Sequence, residues 1–269
     1  MRQLFKIFVS LLSKRFGMKS FLKYIIITCT FFGCINRNRD DSARISHEVL
    51  DTIKRAPAKI IAAPALFETA FIKGTSQNVN GASFYLYGIN IGNINIESGH
   101  IIACDPLHID EYGKPFNQLF PIGLFPVQLA IAKYESQELI AFVRIHFSDE
   151  PVQKWELALL DGQKPLPLYN TEIHGYSVDA GAGIFIDKEA EKALGKSNSR
   201  ILDSALFKEM DKHYHHTWRY DVYEFDKHNL ASFTTGLGDG RYASYIGFDA
   251  NGKPCRLLTD FKLFKWKNK

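Results

Sequence analysis

Thr235–Phe261, TGLGDGRYASYIGFDANGKPCRLLTDF, is the stretch on which the fold turns. Two runs, YASYIGF and CRLLTDF, each alternate in the manner of a strand, and Asp249-Ala-Asn251-Gly252 stands between them. Asn and Gly adopt positive φ at low cost, so the four residues predict a hairpin loop rather than a helix start. A calcium loop of the EF-hand kind is excluded, because Lys253 and Pro254 fill the fifth and sixth positions counted from Asp249. Gly236-Leu-Gly238-Asp239-Gly240 is not a dinucleotide fingerprint either, since its third glycine is misplaced and a strand follows. Three close glycines do allow a sharp turn that presents amides to an anion, which makes Gly238, Asp239 and Gly240 candidate functional residues.

The same grammar extends upstream. ELIAFVRIHF predicts a half-buried strand with Leu139, Ala141, Val143, Ile145 and Phe147 on one face and Arg144 and His146 on the other. It pairs antiparallel with the run around PVQLAIAKY through ESQ. ASFYLYGINIGNINIESGHIIACD predicts two or three strands with turns at Gly92-Asn93 and Ser98-Gly99. VQKWELALL, HGYSVDAGAGIFID, RYDVYEF and NLASFTT add further strands, and one helical region runs from Asp187 to about Tyr214 with a break near Gly195–Ser199. Another helix is expected over Ser42–Arg55, where Ile45, Val49, Leu50 and Ile53 share a face and Pro57 ends it. Many short strands with few helices between them predict an α+β fold, a mainly antiparallel β-sheet domain.

The N-terminus reads as an address. From Met18, MKSFLKYIIITCTFFGC has a basic start, a short apolar run and Gly33 before Cys34, the order of parts in a bacterial lipoprotein signal. The apolar run is well short of the roughly 20 residues that a spanning helix needs. The expected organisation is a signal peptide over 1–33, with residues 1–17 a misplaced start and Met18 the true one. A lipidated tether follows over 34–43, a helix and linker over 44–66, and a single β-rich domain over 67–269. Cys34 then carries the lipid and places the protein at the cell envelope. Six of the 33 basic residues and none of the 29 acidic ones precede Cys34, so the formal +4 of the whole chain becomes −2 in the mature part. That balance gives no argument for nucleic-acid binding. Cys104 and Cys255 are left either to pair or to stand as two thiols.

Five aspartates sit at or beside expected strand ends: Asp105, Asp179, Asp187, Asp239 and Asp260. Gathered in space, they could hold a hard divalent ion; dispersed, each makes its own backbone hydrogen bonds. The histidines of KHYHHTW match no zinc spacing, and the chain lacks HExxH, paired CxxC, GxSxG and the phosphate-loop pattern.

SGHIIACDPL, FPIGLFPVQLAIA, KWELAL, GYSVDAGAGIFID and GLGDGRYASYIGFDANGKPCRLLTDF follow in that order from Ser98 to Phe261. In this the chain resembles domain of unknown function 4241, a mainly bacterial family with no assigned activity. Relatives commonly carry VDAGTGCF where this chain has Ala182 and Ile184, and Trp where Ile246 stands; Asp179, Gly181 and Asp187 keep the pattern. No cofactor is expected, other than a divalent metal under the second of the two functions below. Two functions are expected from these readings. One is a lipid-anchored, non-catalytic module that binds a protein or glycan, including an immunity-type role, with Tyr242 and Tyr245 as surface aromatics beside Gly238 and Gly240. The alternative is a divalent-metal-dependent hydrolase that uses the strand-end aspartates.

Overall fold

The computed structural model describes residues 64–267, which fall within one compact unit, Ile60–Lys269. The expected leader, Cys34, the tether and the helix over 42–55 lie outside these residues. In chain order the elements are α1 (Leu66–Thr69), β1 (Thr75–Val79), β2 (Ala82–Ile96), β3 (Ile101–Cys104), a 3-10 turn (Pro106–His108), α2 (Ile109–Tyr112), β4 (Gly123–Tyr134), β5 (Gln137–His146), β6 (Lys154–Leu157), β7 (Tyr176–Val178), β8 (Ala182–Asp187), α3 (Lys188–Lys212), β9 (Tyr220–Phe225), β10 (His228–Thr234), β11 (Gly240–Phe248) and β12 (Pro254–Asp260). The fold is a β-rich, mainly antiparallel α+β domain, as the sequence predicts.

Two sheets face each other. The larger runs β1-β2-β4-β5-β12-β11-β6, with β7 on the free end of β11, and the smaller runs β3-β8-β10-β9. Between them lies the main core, to which the large sheet gives Val127, Val143, Ile145, Ile246 and Leu257, and the small one Ile101, Phe185 and Phe233. The outer face of the small sheet is covered by α3 through Ala190, Leu194, Leu206 and Met210. On the outer face of the large sheet lie the 64–71 segment and the C-terminal tail, through Leu66, Phe67, Phe264 and Trp266. Leu66, expected to end a linker, is thus already part of the packed domain.

The β11–β12 hairpin forms as the sequence predicts: Asp249 accepts from the amides of Asn251 and Lys253, and Gly252 takes φ 72°. In α3 the capping residue is Asp187, which accepts from Glu189 N, and the helix breaks at Gly195 (φ 60°, ψ 161°). Ser98-Gly99 does turn the chain, whereas Gly92-Asn93 does not. There β2 continues as one 15-residue strand, and Gly92 (φ 131°) absorbs a bulge against β4. A second bulge sits between β4 and β5, where Ala130 faces Phe142 and the next pair is Ile131 with Ile140. The extra residue, Ala141, reverses the parity of β5. Ile140, Val143 and Ile145 therefore point into the main core, while Ala141 and Phe142 point outward, contrary to the single face expected for Ala141 and Val143. Both faces of β5 are covered, so it is not half-buried as predicted.

Candidate functional site

Three of the sequence motifs meet at one end of the interface. At the end of β3, ACDP places Asp105, which is 1% exposed and caps the following 3-10 turn by accepting from Leu107 N at 2.7 Å. Its other oxygen accepts from Asp179 N and Ala180 N at 2.7 and 2.8 Å, and so fixes the turn between β7 and β8. The same turn is tied to GLGDG by the Thr235 amide, which donates to Gly181 O. β7 then pairs with the start of β11, Val178 opposite Gly240 and Ser177 opposite Arg241. Gly175 makes this approach feasible, since a Cβ there would stand 2.4 Å from Tyr242 O.

Beside this junction opens a cleft of ≈ 650 Å³, whose charged walls are Glu111, Lys114, Asp179 and Arg241, with His174 and Tyr112 beside them. Asp179 is exposed, and its carboxylate stands 3.5 Å from His108 Nε2, which also lies 3.8 Å from Glu111 through Nδ1. Arg241 donates from Nε to Gly175 O, and among the described residues neither it nor Lys114 has a carboxylate partner. The rim therefore couples its acids to one imidazole and leaves two cations facing the cleft. Under it, burial pushes up the Tyr176 phenol and the Cys104 thiol, so neither carries charge at neutral pH.

The five aspartates do not converge. Asp187 is fully buried and accepts from Glu97 N, Ser98 N, Ser98 Oγ and Glu189 N. Asp260 accepts from Lys262 N and Trp266 Nε1 on the other face of the large sheet. With Asp105 these make three carboxylates whose oxygens are spent on hydrogen-bond donors, whereas Asp179 and Asp239 are exposed. Among the described residues no group of three or more His, Cys, Asp or Glu side chains is placed to hold a metal ion. Of the two arrangements open to the five aspartates, the described residues show the dispersed one, each acid in its own surroundings. Burial is the reason: an uncompensated carboxylate at a strand end must find donors, and for these three they are amides and side chains of the segments packed beside them.

The GLGDG turn closes on itself. Gly238 O accepts from both Thr235 Oγ1 and Tyr242 Oη, at 2.8 and 2.7 Å, while Asp239 and Gly240 face solvent. Tyr242 and Tyr245, expected at the surface, are 4% and 2% exposed. Strand β11 is covered on both faces, so Tyr242 enters the main core and Tyr245 packs against Phe67 and Trp266 on the outer one. Cys104 and Cys255 are buried free thiols, one on each sheet. His213 stacks on Tyr220, and His215 on Trp218, which accounts for KHYHHTW by ring packing. Sequence reading missed His108, Lys114 and Arg241; only the position of Arg241, directly after GLGDG, marked any of them.

A family model described as protein of unknown function (DUF4241) matches residues 94–259, more than half of the chain. The chain belongs to this family. The DUF4241 match holds Asp105, Asp179, Lys114 and Arg241, and so contains the whole charged rim of the cleft. No curated protein matches the chain, and no solved structure does.

Proposed function

We propose that this DUF4241 protein is a non-catalytic binding module, held at the bacterial cell envelope by a lipid on Cys34, whose cleft takes a carboxylate-bearing part of a protein or glycan. The observation that carries the reading is that Lys114 and Arg241 line the cleft without a carboxylate partner among the described residues, while an exposed acid of the rim, Asp179, stands against His108. Cations left unpaired in a cleft attract an anionic ligand, and a guanidinium grips a carboxylate with directional bonds. Placement at the envelope rests on the signal pattern ending at Cys34. No helix among the described residues is long and apolar enough to cross a membrane.

Titration calorimetry with hexaglutamate and with a uronic-acid oligosaccharide tests the cleft. Saturable binding of one of them, lost in a Lys114→Gln/Arg241→Gln chain of unchanged stability, is the expected result. A metal-dependent hydrolytic turnover that Asp239→Asn abolishes would sink the proposal. For the anchor, Cys34→Ser is expected to leave an unprocessed precursor without lipid, and unchanged membrane association of that variant would count against it.

A further inference from the structure

The outer face of the large sheet holds a second built site. Phe67 is fully buried there, with its ring centroid 5.7 Å from Phe142, 5.0 Å from Trp155 and from Tyr245, and 4.6 Å from Trp266. Three of these contacts are edge-on, the arrangement aromatic rings favour. Glu68, the next residue, lies between two guanidiniums. Its Oε1 accepts from Arg144 Nη1 at 2.9 Å and from Arg256 Nε at 3.2 Å, and its Oε2 accepts from Arg256 Nη2 at 3.3 Å. Three residues on, the Phe71 ring lies 3.9 Å from the Arg144 guanidinium on its other side.

Arg144 and Arg256 are 7% and 4% exposed and share that one carboxylate. Two buried cations in such a setting need an anion, because desolvation without one is far costlier than the pair itself. Other donors of the pair are used nearby: Arg144 Nε on Gln128, Arg256 Nη1 on the carbonyls of Ser148 and Cys255. The receptor side is therefore a preset aromatic cage next to an arginine clamp. Apart from Trp266, the residues that form it lie within 94–259, the stretch shared with the family, whereas Phe67, Glu68 and Phe71 lie outside it.

The occupant has the traits of a docked ligand. Helix α1 is four residues long and its N-cap, Ala65, makes no side-chain capping bond, so packing on the sheet holds it in shape. Between Phe71 and β1 run only Ile72-Lys73-Gly74, exposed, with Gly74 at φ 102° and open space around it. Gly88 of β2 accommodates the segment, since a Cβ there would stand 2.5 Å from Phe71 O.

We propose that this face is a peptide-recognition groove that reads Phe-Glu-x-x-Phe, occupied in cis by Phe67, Glu68 and Phe71. The ligand class is a short peptide with an aromatic residue followed at once by a carboxylate and, three residues later, by a second aromatic ring. A tether as short as Ile72–Gly74 gives the resident segment an effective concentration on the order of millimolar, so a free peptide binds only when the resident one is disabled.

Fluorescence anisotropy with a labelled peptide of residues 64–72 tests this on the full chain. A Phe67→Ala/Glu68→Ala chain is expected to bind it saturably, at least about tenfold tighter than wild type does, and to lose about tenfold when the peptide's Glu is replaced by Gln. No saturable binding by the folded variant, or equal binding of a scrambled peptide, overturns the groove. Should that variant fail to fold, a chain with a protease site inserted between Lys73 and Gly74 gives the same decision. After cleavage its resident segment must exchange with excess labelled peptide; absence of exchange, or unfolding on cleavage, refutes the proposal.

Discussion

Asp105 and Asp179 arise from one sequence signal, an aspartate beside a strand end, and finish in opposite states. Asp105 is buried and accepts from three amides, while Asp179 is exposed and meets only an imidazole at 3.5 Å. Hydrogen bonds to a charged acceptor contribute about 1.5 to 3 kcal/mol each, and an exposed ion pair about 0 to 1. Asp105→Asn, which keeps the shape and loses the charge and one acceptor, is therefore expected to destabilise by about 3 kcal/mol. Asp179→Asn and Asp239→Asn should each stay within about 0.5 kcal/mol of wild type. Urea unfolding of the three variants checks this, and similar losses in all three would mean that burial does not separate their roles. Sequence placed all five acids correctly at strand ends. It could not tell which were saturated, because the donors that saturate them include Asp179 N and Ala180 N, more than seventy residues from Asp105 in the chain.

At the scale of elements, what was legible was local. The β11–β12 hairpin, the β4–β5 pair, the start of the long helix near Asp187 and its break at Gly195 each rest on residues adjacent in sequence. The bulges in β2 and β5 were not legible, since alternation cannot register an extra residue until a partner strand is known. The same holds for the pairing of β12 with β5 and of β8 with β10, which sets the sheet order. Two glycines bear on elements in testable ways. Gly195 sits at φ 60°, ψ 161°, a region open essentially to glycine, so Gly195→Ala should cost about 1 to 3 kcal/mol or straighten the helix. Gly88→Ala would drive a methyl into Phe71 O and should cost about 1 to 3 kcal/mol by lifting the 64–71 segment. Hydrogen exchange distinguishes the two: the second variant alone should expose the amides of residues 67–72, and unchanged protection there would show that the segment does not depend on this approach.

For the molecule as a whole, the charges buried beneath the N-terminal segment tie stability to pH. His146, on β5 beside Arg144 and Arg256, keeps Nε2 on Asp149 at 3.0 Å and buries Nδ1 without a partner. A proton at Nδ1 would have no acceptor. Burial holds the imidazole below its ordinary value, Arg256 and Arg144 push it the same way, and Asp149 opposes them. In the unfolded chain the ring titrates near 6.5, so the stability contributed by His146 is complete above that pH and is lost as the pH falls through the depressed folded value. Asp260 works in reverse. Burial raises it above 3.8 despite its bonds from Trp266 and Lys262, so its contribution is complete below 3.8 and is lost as the pH rises through the raised value. Because His146→Gln keeps Asp260, the difference between the two chains isolates the histidine contribution. Wild type should be the more stable chain near pH 8, and its lead over His146→Gln should hold down to about pH 6.5 and then shrink towards pH 5. A constant difference across that range would mean that His146 takes up its proton equally in both states, and hence that the buried Nδ1 finds an acceptor when the ring is charged.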